Sequence, residues 1–129
     1  MKKQKFLIMW NDHGEKSIRE QIGYIIQYDS MWFGIHRYEN RERKRWLWVV
    51  TELTTGLKIS QTEYNTIKEA EDSINEEVVA MCKNYFNGQY KKLFEKDKKM
   101  VRKAYLEREE EYASLYWKLY PEVQNERML

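Results

Sequence analysis

The sequence has few residues of the kinds that form disulfides, metal sites or tight loops. Its 129 residues include one Cys, one Pro, two His and five Gly. A single cysteine, Cys82, excludes an internal disulfide and a thiolate metal cage. The two histidines, His13 and His36, follow neither an HxH nor an HExxH spacing. The sequence therefore predicts no metal site and no cofactor.

Long hydrophobic runs are also missing. The run at residues 6–10 is far shorter than the roughly 20 apolar residues that span a bilayer. No charged and then apolar leader with a small-residue cleavage site begins the chain. We therefore expect a cytoplasmic protein that has no contact with a membrane.

Aromatic and charged residues are plentiful. The chain is 42% hydrophobic, 15% aromatic and 34% charged, which weighs against disorder over its length. Its 23 basic and 21 acidic residues leave a net charge of +2, too little to indicate a nucleic-acid binder by itself. The length suits one domain over residues 1–129.

The first half of the chain, residues 1–65, has the pattern of an antiparallel sheet. Runs rich in β-branched and aromatic residues are separated by turn formers. The predicted strands are residues 5–10, 21–28, 31–38, 46–53 and 57–62. A capping box at residues 17–20 keeps a helix over residues 18–28 as an alternative, but the composition there favours a strand.

The second half, residues 66–120, has the pattern of two helices. Thr66 and Glu69 form a capping box that begins the first helix. Its apolar stripe consists of Ile67, Ala70, Ile74, Val78, Met81 and Tyr85. We expect this stripe to cover the face of strand 46–53 that carries Trp48 and Val50, which would bury both side chains.

The predicted second helix runs from about Gln89 to Tyr120, where Pro121 ends it. At about 45 Å it is longer than a small sheet is wide. Its distal apolar residues, Tyr112, Leu115, Tyr116 and Leu119, would then lie beyond the sheet, which predicts a homodimer through this helix. The charged residues 95–99, Lys98 and Lys99 among them, are expected to form a solvated face, and residues 121–129 a frayed tail.

Together these patterns predict an α+β fold. A largely antiparallel sheet of four or five strands is followed by two helices, the second one long.

Nothing in the sequence predicts catalysis. Glycine-rich phosphate loops and a nucleophile elbow are absent. We expect His36 to lie on a sheet face and Cys82 to be an inert thiol. Residues 12–15 combine acid and base in a turn, where adjacent side chains rarely converge on one point. We therefore predict a protein that is not an enzyme.

One cluster combines basic and aromatic side chains. Its members are Arg37, Arg41, Arg43, Lys44, Arg45, Trp46 and Trp32. Guanidinium groups are planar donors for phosphate or carboxylate, and exposed rings offer faces for stacking. The cluster is read in two ways: as an anion-binding or protein-binding patch, or as a charged hairpin loop whose tryptophans belong to the core.

The segment at residues 48–74 resembles small accessory proteins of phages and mobile elements in Gram-positive bacteria. The similarity rests on the Thr-Glu-Leu-Thr-Thr-Gly-Leu run at residues 51–57 and on the helix start at residues 66–70, and covers about a fifth of the chain. Proteins of this class without catalytic motifs include inhibitors of host defence, among them anti-CRISPR proteins.

The resemblance implies a non-enzymatic binding protein that acts inside a bacterial host cell and occludes a functional surface of a host defence protein. A defence protein that handles nucleic acid is one candidate for this partner. A dimeric protein that sequesters a nucleotide defence signal is the first alternative. A module that binds RNA or DNA directly through the sheet face is the second.

Overall fold

The first half of the chain folds into one antiparallel sheet with strands in sequence order. The computed structural model describes residues 2–40, 45–59 and 62–122. Its strands are β1 (Lys3–Asp12), β2 (Glu15–Tyr28), β3 (Met31–Asn40), β4 (Arg45–Glu52) and β5 (Leu57–Lys58). Helices follow the sheet, which confirms the predicted α+β fold.

Residues 18–28 are part of β2, so the helical alternative for them is wrong. This strand pairs with β1 as far as Asp12 opposite Glu15 and with β3 as far as Tyr28 opposite Met31. Backbone pairing with β1 up to Tyr24 and with β3 from Gly23 onward outweighs the local capping box. The short turns suit residues that accept a positive φ, with His13 at 50° and Asp29 at 60°.

The sheet curls until the turn after β4 reaches β1. The Met9 N–H donates to the Gly56 carbonyl over 2.8 Å. Gly56 has a φ of 70°, and a Cβ there would lie 2.8 Å from the Met9 nitrogen, so this closure requires glycine. The neighbouring Leu7 N–H donates to the Tyr105 hydroxyl over 2.9 Å. The edge of β1 that does not pair with β2 is thus covered by the turn after β4 and by the helix that carries Tyr105.

The concave side of the curl is filled by an aromatic ring. Phe6 is fully buried and lies over Gly34, where a Cβ would come within 2.6 Å of the ring. Its ring also meets the His36 imidazole edge to face, with centroids 5.7 Å apart. We call this concave side the inner face and the opposite side the outer face.

The predicted first helix is two helices, α1 (Ile67–Asp72) and α2 (Glu76–Asn87). Thr66 caps α1 as expected, and the Asn75 side chain caps α2 by accepting from the Val78 N–H over 3.0 Å. The break changes the helical phase. The buried face of α2 is therefore Val79, Cys82 and Phe86, whereas Met81 and Tyr85 are exposed.

The predicted second helix is likewise broken, which corrects the expected continuous helix. A 3₁₀ turn at Lys91–Phe94 leads into α3 (Glu95–Glu107), and α4 (Glu109–Leu119) follows after Arg108, whose ψ of 32° is not helical. The chain turns back at this point, so α4 packs against α3 and β1.

The distal apolar stripe is buried inside this one chain. Its residues belong to a core with β1 and α3: Tyr112, Leu115, Tyr116 and Leu119. The structural premise for a homodimer is therefore wrong, because the stripe has no face left over for a second copy. The homodimer itself stays a prediction without that support. The expected tail at residues 121–129 lies outside the described residues from residue 123 onward.

The charged stretch at residues 95–99 is not a solvated face throughout, which is a second correction. Asp97 is buried and accepts from the Lys16 ammonium over 2.8 Å. The Lys98 ammonium donates to the Phe86 carbonyl and, over 2.7 Å, to the Asn87 side chain at the end of α2. Such cation contacts stabilise a helix C-terminus. These charges therefore join α3 to its neighbours.

A second core lies between the outer face and α1 with α2. Val50 is fully buried there against Ala70 and Ile74, as predicted. Trp48 lies on the same face but is only half-buried at the margin of this core. The two helices therefore cover one end of the outer face and leave the end near Trp46 uncovered.

Candidate functional site

The uncovered end of the outer face combines a cation with aromatic rings. Arg37 on β3 pairs with Trp48 on β4, and Trp46 is the next residue of β4 on the same face. Ile22 and Tyr24 on β2 also lie on this face, because Tyr24 pairs with Ile35. We call these five residues the outer-face patch.

The centre of the outer-face patch is ordered by ring contacts. The Arg37 guanidinium carbon lies 5.2 Å from the centroid of the Trp48 ring, within the range of a cation–π contact. The Trp48 ring in turn lies 6.2 Å from the Tyr24 ring. The Trp48 backbone forms two hydrogen bonds with Tyr64, 2.7 and 2.8 Å long. Arg37 is thus held over a ring that the core positions.

The rim of the patch exposes apolar surface. The Trp46 side chain is 58% exposed and Ile22 is 57% exposed, although both are large and apolar. Single exposed apolar residues are common on protein surfaces. Two of them beside an ordered cation and two half-buried rings are the composition of a binding surface, where aromatic residues and Arg are enriched.

The structure brings together only some of the predicted site residues. Arg37 and Trp46 share the outer-face patch, and Arg45 lies at the start of β4 but on the inner face by strand alternation. Trp32 also points to the inner face, where it is half-buried and 5.9 Å from the Lys118 ammonium. Its separation from Arg37 places it outside the patch.

Three predicted members of the loop lie outside the described residues: Arg41, Arg43 and Lys44. Their proposed role in recognition stays a prediction. Ile22 and Tyr24 are patch residues that sequence reasoning missed. The alternation of side chains along β2 could have shown that Ile22 and Tyr24 share one face of that strand. It could not show which residues of β3 lie next to them, because that depends on the register between the two strands.

The motif at residues 51–57 builds a turn around a buried carboxylate. Glu52 is 1% exposed, and its carboxylate accepts from the Thr54 N–H at 2.8 Å, from the Thr54 hydroxyl and from the Thr55 N–H at 3.2 Å. Burial raises the pKa of Glu52 to about 7 against the lowering effect of these hydrogen bonds. This turn presents Gly56 to β1, so the motif has a clear structural role.

His13 and Cys82 lie in opposite environments, one exposed and the other buried. His13 lies in the exposed turn, 3.5 Å from Asp12. Cys82 is buried, and burial raises the pKa of its thiol to about 11, so the thiol is protonated at neutral pH. Across the described residues, no three His, Cys, Asp or Glu side chains are grouped closely enough to hold a metal ion.

Comparisons with protein-family models, with curated proteins and with solved structures find no match for this chain. None of the helices in the described ranges has both the length and the apolar character needed to cross a membrane.

Proposed function

We propose that this chain is a non-enzymatic binding protein that recognises a macromolecular partner through the outer-face patch. The observation that carries the proposal is that Trp46, 58% exposed, lies beside Arg37 on the same face. The Arg37 guanidinium in turn contacts the half-buried Trp48 ring. A guanidinium that already lies against a ring loses less side-chain entropy on binding than one without such a contact. The patch lies on a sheet surface, which suits a broad partner better than a small molecule.

The partner that this surface suits has an acidic face. Arg37 and the neighbouring basic residues of the loop would meet carboxylates or phosphates, and Trp46 and Ile22 would bury apolar area. In its specific form, taken from the resemblance at residues 48–74, the partner is a host defence protein of bacteria that handles nucleic acid, and binding inhibits it by occlusion. We therefore expect this contact to inhibit the defence protein in the manner of an anti-CRISPR protein.

A binding experiment tests the patch with matched variants. The tagged chain captures its partner from cells that carry an active defence system, and mass spectrometry identifies the captured protein. The variant Arg37→Glu with Trp46→Ala should lose that protein, whereas Lys92→Glu with Lys96→Glu, two exposed lysines elsewhere, should retain it. Equal capture by both variants would contradict the patch.

The loop is tested in the same assay. Reversal of Arg41 and Arg43 to Glu should also abolish binding, since broken charge pairs at an interface cost roughly 2–5 kcal/mol when buried and less at a wet rim. Folding should hardly change, because exposed charges contribute only about 0–1 kcal/mol each. The plating efficiency of a phage that the defence system restricts gives the functional readout: it should rise with the wild-type chain and with the Lys92/Lys96 control, and not with the patch or loop variants.

The nucleic-acid alternative is separated by one measurement. Exposed Trp46 beside Arg37 would also stack on the bases of a single strand. Binding to a single-stranded oligonucleotide that weakens steeply with salt and requires Trp46 would favour this function over protein occlusion. A nucleotide released on heating the purified protein would instead favour sequestration of a nucleotide signal.

A further inference from the structure

The curled sheet forms a half-open cavity on its inner face, separate from the outer-face patch. The cavity has a volume of about 300 Å³. The cavity lies between the C-terminal end of β1 and β5, next to the Met9–Gly56 hydrogen bond. Its main lining side chains are Trp10, His36, Tyr38, Val49, Thr51 and Lys58. We call this cavity the cup.

The floor of the cup offers a neutral hydrogen-bond acceptor. His36 Nδ1 lies 3.2 Å from the Arg37 carbonyl, which can only accept, so Nδ1 carries the hydrogen. His36 Nε2, 2.9 Å from Thr51 Oγ1, therefore accepts the hydroxyl hydrogen of Thr51. Burial lowers the pKa of His36 to about 4, which keeps the ring neutral at neutral pH. Thr51 Oγ1 is left with lone pairs alone for a ligand.

The rim of the cup is aromatic and positively charged. The Lys58 ammonium lies 5.5 Å from the centroid of the Tyr38 ring. Arg19 does not line the cup, but its guanidinium carbon lies 4.4 Å from the centroid of the Trp10 ring, which does. The residues described as lining the cup include no Asp or Glu. Glu63 lies 3.8 Å from Lys58, so an anionic ligand would compete with that carboxylate. The charge of the rim favours an anion.

The size of the cup limits the ligand. Ligand cavities range from roughly 300 to 1,000 Å³, and this one is at the small end. It suits a molecule of one or two rings and is too small for a dinucleotide. Aromatic walls suit a flat molecule, since rings stack with little loss of conformational freedom.

We propose that the cup binds a small planar anion of one or two rings. Its carboxylate or phosphate would pair with Lys58, its rings would lie between Trp10 and Tyr38, and a ring N–H or O–H would donate to Thr51. A carboxylate and a phosphate share this chemistry, and the experiment distinguishes them. The site is independent of the proposed protein-binding function, so either can fail alone.

The two histidines provide an internal control for a titration followed by nuclear magnetic resonance. Salicylate and phenyl phosphate are the carboxylate and phosphate probes, each with one ring, and salicylamide is the uncharged control. Binding in the cup should produce a saturable shift of the His36 ring signals. The His13 side chain is 97% exposed and is not among the lining residues, so its ring signals should shift much less than those of His36. Salicylamide should bind roughly tenfold more weakly than salicylate, the equivalent of about 1.4 kcal/mol for one screened charge pair.

Variants locate the binding. Lys58→Met should weaken the anionic probe about tenfold and leave salicylamide unchanged. Lys68→Met, at an exposed lysine on α1, is the matched control. Val49→Phe should fill the cup and abolish all binding. Should that variant not fold, Lys58→Met still tests the site, because the Lys58 side chain is 40% exposed and its loss leaves the core intact.

Two results would overturn the proposal. The first is no saturable His36 shift with either anionic probe at millimolar concentration. The second is binding whose affinity Lys58→Met leaves unchanged, since the anion would then lie elsewhere. A response to only one anionic probe supports the site and assigns its ligand as a carboxylate or as a phosphate.

Discussion

Two buried titratable groups act in opposite directions on the pH dependence of stability. Glu52 is 1% exposed, and burial raises its pKa from an ordinary 4.5 to about 7. Its raised pKa means that the folded state holds a proton that the unfolded state has released. The stability from Glu52 is therefore complete below pH 4.5 and is lost as the pH rises through 7. The loss amounts to about 3 kcal/mol.

His36 has the opposite sign. Burial lowers its pKa from an ordinary 6.5 to about 4, so the unfolded chain takes up a proton at a pH where the folded chain does not. The stability from His36 is complete above pH 6.5 and is lost as the pH falls through 4, again by about 3 kcal/mol. Between pH 4.5 and 6.5 the two contributions offset each other.

Single substitutions should therefore expose each slope. In Glu52→Gln the free energy of unfolding should fall by about 3 kcal/mol from pH 7 to pH 4 relative to wild type, because His36 then acts unopposed. In His36→Gln it should rise by a similar amount from pH 7.5 to pH 4.5. Urea unfolding at stepped pH measures both, with a midpoint that moves while the m-value holds constant.

The exposed carboxylate of Glu71 provides the control. Glu71→Gln should keep the pH dependence that Glu52 and His36 produce, since it removes a surface carboxylate and leaves both buried groups in place. If Glu52→Gln also ran parallel to wild type from pH 4 to 8, the reasoning would be refuted. The hydrogen bonds from Thr54 and Thr55 would then outweigh burial and keep the Glu52 carboxylate ionised.

Four further predictions concern packing, capping and assembly. Gly34→Ala should destabilise the fold by about 1–3 kcal/mol through the Phe6 ring, and Phe6→Leu in the same chain should recover part of that loss in a double-mutant cycle measured by urea unfolding. Asn75→Ala should cost about 1 kcal/mol in thermal unfolding, from the lost cap of α2. Trp48→Ala should cost about 2 kcal/mol, less than full burial would give, whereas Trp46→Ala, at an exposed side chain on the same face, should cost under about 0.5 kcal/mol; equal losses would contradict the difference in burial between the two rings. Sedimentation equilibrium with a mass near 16.0 kDa at all concentrations would contradict the homodimer.

Local patterns in the sequence determined which segments form strands and which form helices. The alternation around Val50, the turn formers after β1 and the Thr66 capping box each act over a few residues, so the sequence carries them in full. The buried place of Val50 against the first helical segment also followed from alternation and stripe alone. The same reasoning identified Arg37 and Trp46 as neighbours in a basic and aromatic cluster.

Helix continuity was the first thing that local patterns could not determine. The stripe after Tyr105 continues in helical spacing through Tyr112 to Leu119, but the chain turns at Arg108 and folds those residues onto β1. A helix kept straight would have left the same apolar surface in water. Burial within one chain stabilises the turned arrangement, and its partner surface on β1 is distant in sequence.

The curl of the sheet and both candidate sites depend on tertiary structure alone. The outer-face patch requires the register that sets Arg37 opposite Trp48, and the cup requires Gly56 to reach Met9 across 47 positions of the chain. Residue types at Gly34, Gly56 and Phe6 permit this closure, but each looks ordinary in its own segment. A local pattern records which side of a strand a residue occupies. Which other strand that side meets is decided by long-range packing, because the free energy of closure comes from contacts that no short segment makes by itself.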